Sequence, residues 1–220
     1  MDTGASDPRT GPRWRRRKDA RPAEILASAL DSFVEHGYES SRLEDIARRA
    51  GCTKGTIFLY YESKAELFKA VVREVMLPII QQSEDMIAAH AGNCRELLEK
   101  LLRLRWESTA ASRLSGLAKL LFAETEKYPE LARFYHGEIH SRSQTMLRHV
   151  LDLGVERGEF RPMNSACVAR VAIAPIVFAG IWRHSFGPVS DQPADLAEEV
   201  RESLEVLFAG ITAAPPQGRS

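Results

Sequence analysis

The sequence predicts an all-α fold. Apolar residues recur at three- and four-residue spacing through most of the 220 positions. No stretch alternates apolar and polar residues as a half-buried strand would. Turn residues at Gly51, Gly158, Arg161-Pro162 and Gly187-Pro188 separate the periodic stretches.

Residues 1–12 are mostly Gly, Pro, Ser, Thr and Asp with little to bury, and the basic run Arg13-Trp14-Arg15-Arg16-Arg17-Lys18 follows. Residues 1–20 are therefore expected to be a disordered basic arm. Such a run is either a solvated charge cluster or an arm that touches phosphates. Pro22 suits a first helical turn, and the helix after it turns Ile25, Leu26, Ala29, Phe33 and Val34 inward.

Ser41 stands as an expected N-cap before Leu43, Ile46, Ala47 and Ala50, which share one helical face. Gly51 can adopt the positive φ that ends a helix and redirects the chain. Thr53 then caps a short helix from Lys54 to Tyr61 with Ile57 and Tyr61 inward. Lys54, Thr56, Leu59 and Tyr60 are left on its outer face. A short helix held at an angle by its predecessor, with donors and a ring projecting outward, is the arrangement that enters a DNA major groove.

Beyond Ser63, the stripe Leu67, Phe68, Val71, Val72 and Val75 marks a fourth helix, which Pro78 is expected to kink or end. Further helices are expected over 94–112, 114–127, 128–158, 164–185 and 195–211. The stretch 164–185 is apolar nearly all round, which calls for burial on all sides. Its longest apolar run, Val171 to Trp182, is short for a bilayer span, so no membrane partner is expected. The tail 213–220 is expected to fray.

The segment ILASALDSFVEHGYESSRLEDIARRAGCTKGTIFLYYESKAELF resembles the DNA-binding domain of TetR-family transcriptional regulators. The resemblance rests on a first helix ending in Phe33 and Gly37-Tyr38, on D-I-A-R-R-A-G, on T-K-G-T-I-F with a Tyr-Tyr pair, and on S-K-x-x-L-F. It implies an N-terminal three-helix helix-turn-helix domain, 21–67, followed by a helical effector-binding and dimerisation domain, 68–212. It also implies a homodimer on a double-stranded, pseudo-palindromic operator, a small apolar or amphipathic effector, and a cytoplasmic protein, in most cases a repressor.

Carried onto this sequence, the expected DNA-binding residues are Arg42, Glu44, Thr53, Lys54, Gly55, Thr56, Tyr60 and Lys64. Arg42, Tyr60 and Lys64 fall at positions suited to phosphate. Lys54 can reach guanine or phosphate, and Glu44 can accept from cytosine N4 or serve as a cap. Phe58 stands where relatives often carry tyrosine. In the second domain, Trp106, Phe122, Phe134, His136, Phe178 and Trp182 are candidates to line an apolar cavity, with Arg103, Arg105, Arg183 and His140 as possible polar anchors. Leu196, Val200, Leu204, Leu207 and Phe208 lie on one face of the last helix and are expected to meet a second subunit.

Composition agrees with a soluble regulator. Hydrophobic residues make up 44% and charged residues 27%, with no net charge. Residues 1–73 hold 14 Lys/Arg against 11 Asp/Glu, a difference of +3, so any nucleic-acid footprint is local. Cys52, Cys94 and Cys167 form no C-x-x-C pair and read as free thiols of a reducing compartment. His136 and His140 form H-x-x-x-H without the glutamate of a zinc-peptidase helix, so no metal site is expected. No phosphate loop or nucleophile elbow is present, and no cofactor is expected. An all-α enzyme or small-molecule carrier, and a regulator without a small-molecule effector, stand as alternatives.

Overall fold

The computed structural model describes residues 13–111, 114–124, 126–191 and 194–213. Among these residues ten α-helices follow in chain order: α1 (Arg13–Ser40), α2 (Leu43–Arg49), α3 (Lys54–Phe58), α4 (Lys64–Ala89), α5 (Cys94–Arg105), α6 (Ser115–Glu124), α7 (Pro129–Phe134), α8 (Ser141–Glu156), α9 (Ser165–Ser185) and α10 (Leu196–Ile211). Wider π-helical turns extend α5 over Trp106–Ala110 and join α7 to α8 over Tyr135–His140. The described residues contain no strand, only an isolated antiparallel bridge between Phe160 and Thr212. They form two compact units, divided between Val72 and Arg73.

In the first unit α1 buries Ile25, Ala29, Leu30 and Phe33, and α2 buries Leu43, Ile46 and Ala47. Phe33, Tyr38 and Phe68 form a ring cluster with centroids 5.3–5.8 Å apart. Arg49 fixes α2 against α1 through a two-pronged bond to Glu35 at 2.8 and 3.0 Å, with Asp31 at 3.2 Å. The Arg49 guanidinium holds the Glu35 carboxyl below the usual carboxylate range.

Two expectations are revised, at Ser41 and at Pro78. The backbone of α1 is helical from Arg13, and Arg, Lys and Ala are good helix formers. The side chains of 13–20, and with them any arm contact, lie outside the described residues, as do 1–12 and 214–220. Ser41 is not the N-cap of α2. Its hydroxyl turns back to the carbonyls of Gly37, at 2.7 Å, and Ser32, at 3.0 Å, where α1 breaks at the positive φ of Gly37, and the cap position passes to Arg42. Pro78 does not end α4, which runs on to Ala89 because Met76, Ile79 and Ile80 remain buried on its inner face.

The second unit is built round α9, which packs on α5, α6, α8 and α10. Asn93, Asn164 and Asp195 cap α5, α9 and α10 by accepting from the backbone N–H three residues on. By length and apolar composition α9 is one helix able to cross a membrane, since its 21 residues exceed the uninterrupted run visible in sequence. Here Ala169, Ala172, Ile176 and Ala179 are instead buried against neighbouring helices. Gly154 takes the closest approach, with the Phe160 ring lying directly on its Cα.

The last helix corrects an expectation. Leu196, Val200 and Phe208 are buried in their own chain's core, together with Ile211. The amphipathic face of α10 is used to close the unit, and so is largely spent before a partner could reach it. Leu204 and Leu207 are half-buried. They line a groove with Val171, Ala174, Pro175, Phe178 and Ser203.

Candidate nucleic-acid interface and helical cavity

Helix α3 is positioned by two local devices. Gly51 adopts φ +63° in the turn after α2. The Thr53 hydroxyl then accepts from the Thr56 N–H at 3.1 Å, closing the first turn of α3, while the two hydroxyls lie 2.9 Å apart. Ile57 is the buried anchor. Lys54, Gly55, Phe58, Leu59 and Tyr60 are exposed beside it, and Leu59 is 83% exposed. A Cβ on Gly55 would meet only the Thr53 hydroxyl, at 3.7 Å. Packing does not demand glycine there; its effect is to lower the outer surface of the helix.

Arg42 and Glu44 lie exposed at the start of α2. Lys54 donates to Glu44 Oε1 at 2.7 Å and sits 5.7 Å from the centroid of the Phe58 ring. The hydrogen bond from Lys54 is the leading cause that holds the Glu44 carboxyl below its ordinary range. Glu44 and Lys54 are thus one unit: the carboxylate fixes the direction of the ammonium, and a base edge must compete with it.

Lys64 joins two elements. Its ammonium donates to the backbone carbonyls of Tyr38 (2.9 Å), Glu39 (3.0 Å) and Ser41 (3.2 Å), and lies 4.6 Å from the centroid of the Tyr38 ring. An ammonium has three N–H donors. Its geometry therefore serves the α1–α2 junction. The unsatisfied carbonyl end of α1 is the physical reason.

The second unit holds a cavity of about 380 Å³. Its walls are apolar: Met76, Ile79 and Ile80 from α4, Leu101 and Leu102 from α5, Leu117 and Leu121 from α6, Leu147 from α8, and Ile176 and Ile181 from α9. Both π turns contribute, through Thr109 and Ala110 and through Tyr135 and His140. Of the six aromatic or imidazole candidates, Phe122 and Phe178 line this space. The other four do not. Phe134 is buried beneath the Arg73 guanidinium, 4.8 Å from its centroid. Trp106 and Trp182 pack on the core cluster of α5, α8, α9 and α10, and His136 is exposed. Helical register, which composition does not reveal, turns these four aside.

Of the possible anchors, Arg105 and His140 line the cavity, and Arg170 joins them. Arg170 was not anticipated, although an arginine three residues before Ile173, in a helix whose other basic residues lie in its last turn, was a visible signal. Burial lowers the His140 pKa, with His136, Arg170 and Arg105 adding in the same direction. His136 and His140 stack at 5.5 Å. Among the described residues no group of three or more His, Cys, Asp or Glu is arranged to hold a metal ion.

Comparison with known proteins agrees with this geometry. Residues 25–71 match the model of "Bacterial regulatory proteins, tetR family". Residues 88–201 match that of the "Tetracyclin repressor-like, C-terminal domain". The chain belongs to the tetR family. The fatty acid metabolism regulator protein of Bacillus subtilis is 26% identical over 198 residues, covering 88% of this chain and 98% of the relative. The HTH-type transcriptional repressor KstR2 of Mycobacterium tuberculosis is 24% identical over 196 residues, covering 88% and 94%. Among solved structures, FadR from Bacillus subtilis in complex with stearoyl-CoA superposes with a TM-score of 0.67 at 23% identity, covering 86% of this chain and 98% of that one. As a member of the tetR family the chain is a DNA-binding transcriptional regulator with an N-terminal helix-turn-helix domain and a C-terminal helical domain.

Proposed function

We propose that this tetR-family chain is a cytoplasmic repressor that binds a pseudo-palindromic operator as a homodimer and releases it when a small apolar or amphipathic effector enters the cavity. The observation that carries the reading is the outer face of α3, where Lys54, Gly55, Thr56 and Tyr60 surround a helix start that packing alone does not require to be open. These residues, with Arg42, Glu44 and Thr53, are the proposed DNA contacts.

Two observations support the rest. Val171 and Phe178 are 56% and 54% exposed, on the groove that Leu204 and Leu207 share. An exposed apolar groove on a soluble chain favours a partner, and a second copy supplies the two-fold symmetry that a palindromic site needs. Helix α4 contributes Leu67 and Phe68 to the core of the first unit and Met76, Ile79 and Ile80 to the cavity wall of the second. An effector that moves the wall therefore acts on the same helix that carries Lys64. The proposed activity is binding without turnover.

Fluorescence anisotropy on the duplex upstream of the chain's own gene tests the reading. Saturable binding that outlasts excess unrelated duplex, and falls when an amphiphile is added, is expected. Equal affinity for unrelated duplex would sink it.

A further inference from the structure

Resting on the ligand-responsive reading, we infer that the effector is an anionic amphiphile, with its apolar chain in the cavity and its negative head held by Arg105 and Arg170. The lining contains these two guanidiniums, and no carboxylate is found among its described residues. Arg105 is half-buried and Arg170 exposed, and a cation withdrawn from water is normally paired. Arg105 Nε is shut off from solvent without a hydrogen-bond partner, a state that native interiors rarely keep. The Arg170 guanidinium reaches Cys167 Sγ at 3.8 Å, a weak acceptor.

Arg105, Arg170 and His140 all line this cavity, and burial, with both guanidiniums adding to it, disfavours the charged form of the imidazole. The neutral imidazole is left as a hydrogen-bonding group and not as a third cation. A guanidinium pair matches a carboxylate or a phosphate with parallel N–H bonds. A neutral ligand would leave the donors unanswered, and a cationic one would meet like charge. Ligand cavities span roughly 300–1,000 Å³, so 380 Å³ takes a moderate apolar chain with little beyond its head. Two sources share this chemistry, a free alkyl carboxylate and an acyl thioester whose charge lies on phosphates.

Isothermal titration of the full chain without DNA tests the inference, using dodecanoate, dodecanoyl-CoA, dodecanol and dodecylammonium. At least one anionic probe is expected to bind about tenfold or more tightly than dodecanol, as one or more charge-assisted bonds require. Tight dodecanoate points to the free acid, and tight dodecanoyl-CoA with weak dodecanoate to the phosphate-bearing source. Arg105→Gln and Arg170→Gln should each lower anion affinity by about tenfold and leave dodecanol unchanged, with Arg105→Lys retaining part of it. Arg170 is exposed, so its variant keeps the test open if Arg105→Gln fails to fold. Dodecanol binding as tightly as both anions, or anion affinity unmoved in both folded variants, overturns the inference. Operator release is read separately. Arginine-dependent anion binding without release rejects the ligand-responsive reading, and with it the effector role, while the anion site at Arg105 and Arg170 stands. Release by dodecanol equal to that by the anions rejects this one alone.

Discussion

The ammonium of Lys64 donates to the backbone carbonyl of Tyr38 at 2.9 Å while lying 4.6 Å from the centroid of the same residue's ring. One side chain at the start of α4 thereby ties the end of α1 to the start of α2. Hydrogen bonds to charged groups contribute about 1.5–3 kcal/mol each, and these three share one partly buried cation. Lys64→Ala is expected to destabilise the first unit by about 1.5–3 kcal/mol in denaturant titration. The salt dependence of duplex binding should stay as it was. A slope shallower by about one per phosphate contact, with stability unmoved, would restore the phosphate role suggested by sequence.

Lys54 and Glu44 are exposed and paired, so their replacement should leave the melting temperature in place. Its effect should fall on sequence preference. Lys54→Ala and Glu44→Ala are expected to change preference at the same symmetric operator position, and the double variant to show less than the sum of the two. Independent, additive effects at different positions would show that the pair is not read as a unit.

Gly154 has no room for a side chain. A Cβ would overlap the Phe160 ring, which is buried at the bridge that joins the α8–α9 turn to Thr212. Gly154→Ala should cost about 1–3 kcal/mol through overpacking. Gly137→Ala, where a Cβ meets nothing within 4 Å, serves as the control and should be close to neutral. Equal thermal stability of the two variants would show that the ring moves aside freely.

Burial lowers the pKa of His140 and of His184 in the folded chain. A depressed histidine binds fewer protons folded than unfolded. Its contribution to stability is present above the unfolded value of about 6.5 and is lost as pH falls below it toward the lower folded value. Melting temperature should therefore drop as pH is lowered from neutral through about 6. The drop should be smaller in His140→Gln, and smaller again with His184→Gln. A profile identical in all three proteins would assign the acid sensitivity to other groups.

Several levels of this molecule were legible in sequence, and some were not. Local signals carried well: Gly51 has the positive φ its turn needs, and Thr53 caps α3. Those features depend on neighbours a few residues apart. Register against distant helices did not carry. The apolar stripe of α10 was visible, yet whether Leu196, Val200 and Phe208 face their own core or a partner depends on where α9 lies. The same limit misplaced Trp106 and Trp182, and it hid the convergence of Arg105, His140 and Arg170 from three helical segments. At Lys64 the sequence showed a lysine beside a DNA-reading module, but not the helix end 26 positions earlier to which it donates.

Dimerisation is tested most cleanly at Val171, which is half-exposed on α9 and absent from the core cluster. Val171→Glu should fold normally but sediment as a monomer and lose most operator affinity, because each reading head then binds without its tethered partner. Leu204→Glu should do the same with an added folding cost, since Leu204 also packs on the core. Folded variants that remain dimeric with full affinity would place the interface elsewhere.

Selection of bound duplexes from a random library, carried out with the full chain and with a Lys54→Ala, Thr56→Ala, Tyr60→Ala triple variant, tests the central claim most directly. The account predicts enrichment of two inverted half-sites about one helical turn apart by the parent chain. The triple variant, folded as judged by its melting temperature, should lose that enrichment. Enrichment of the same motif by both proteins, or of no motif by the parent, would contradict the assignment of α3 as the reading helix.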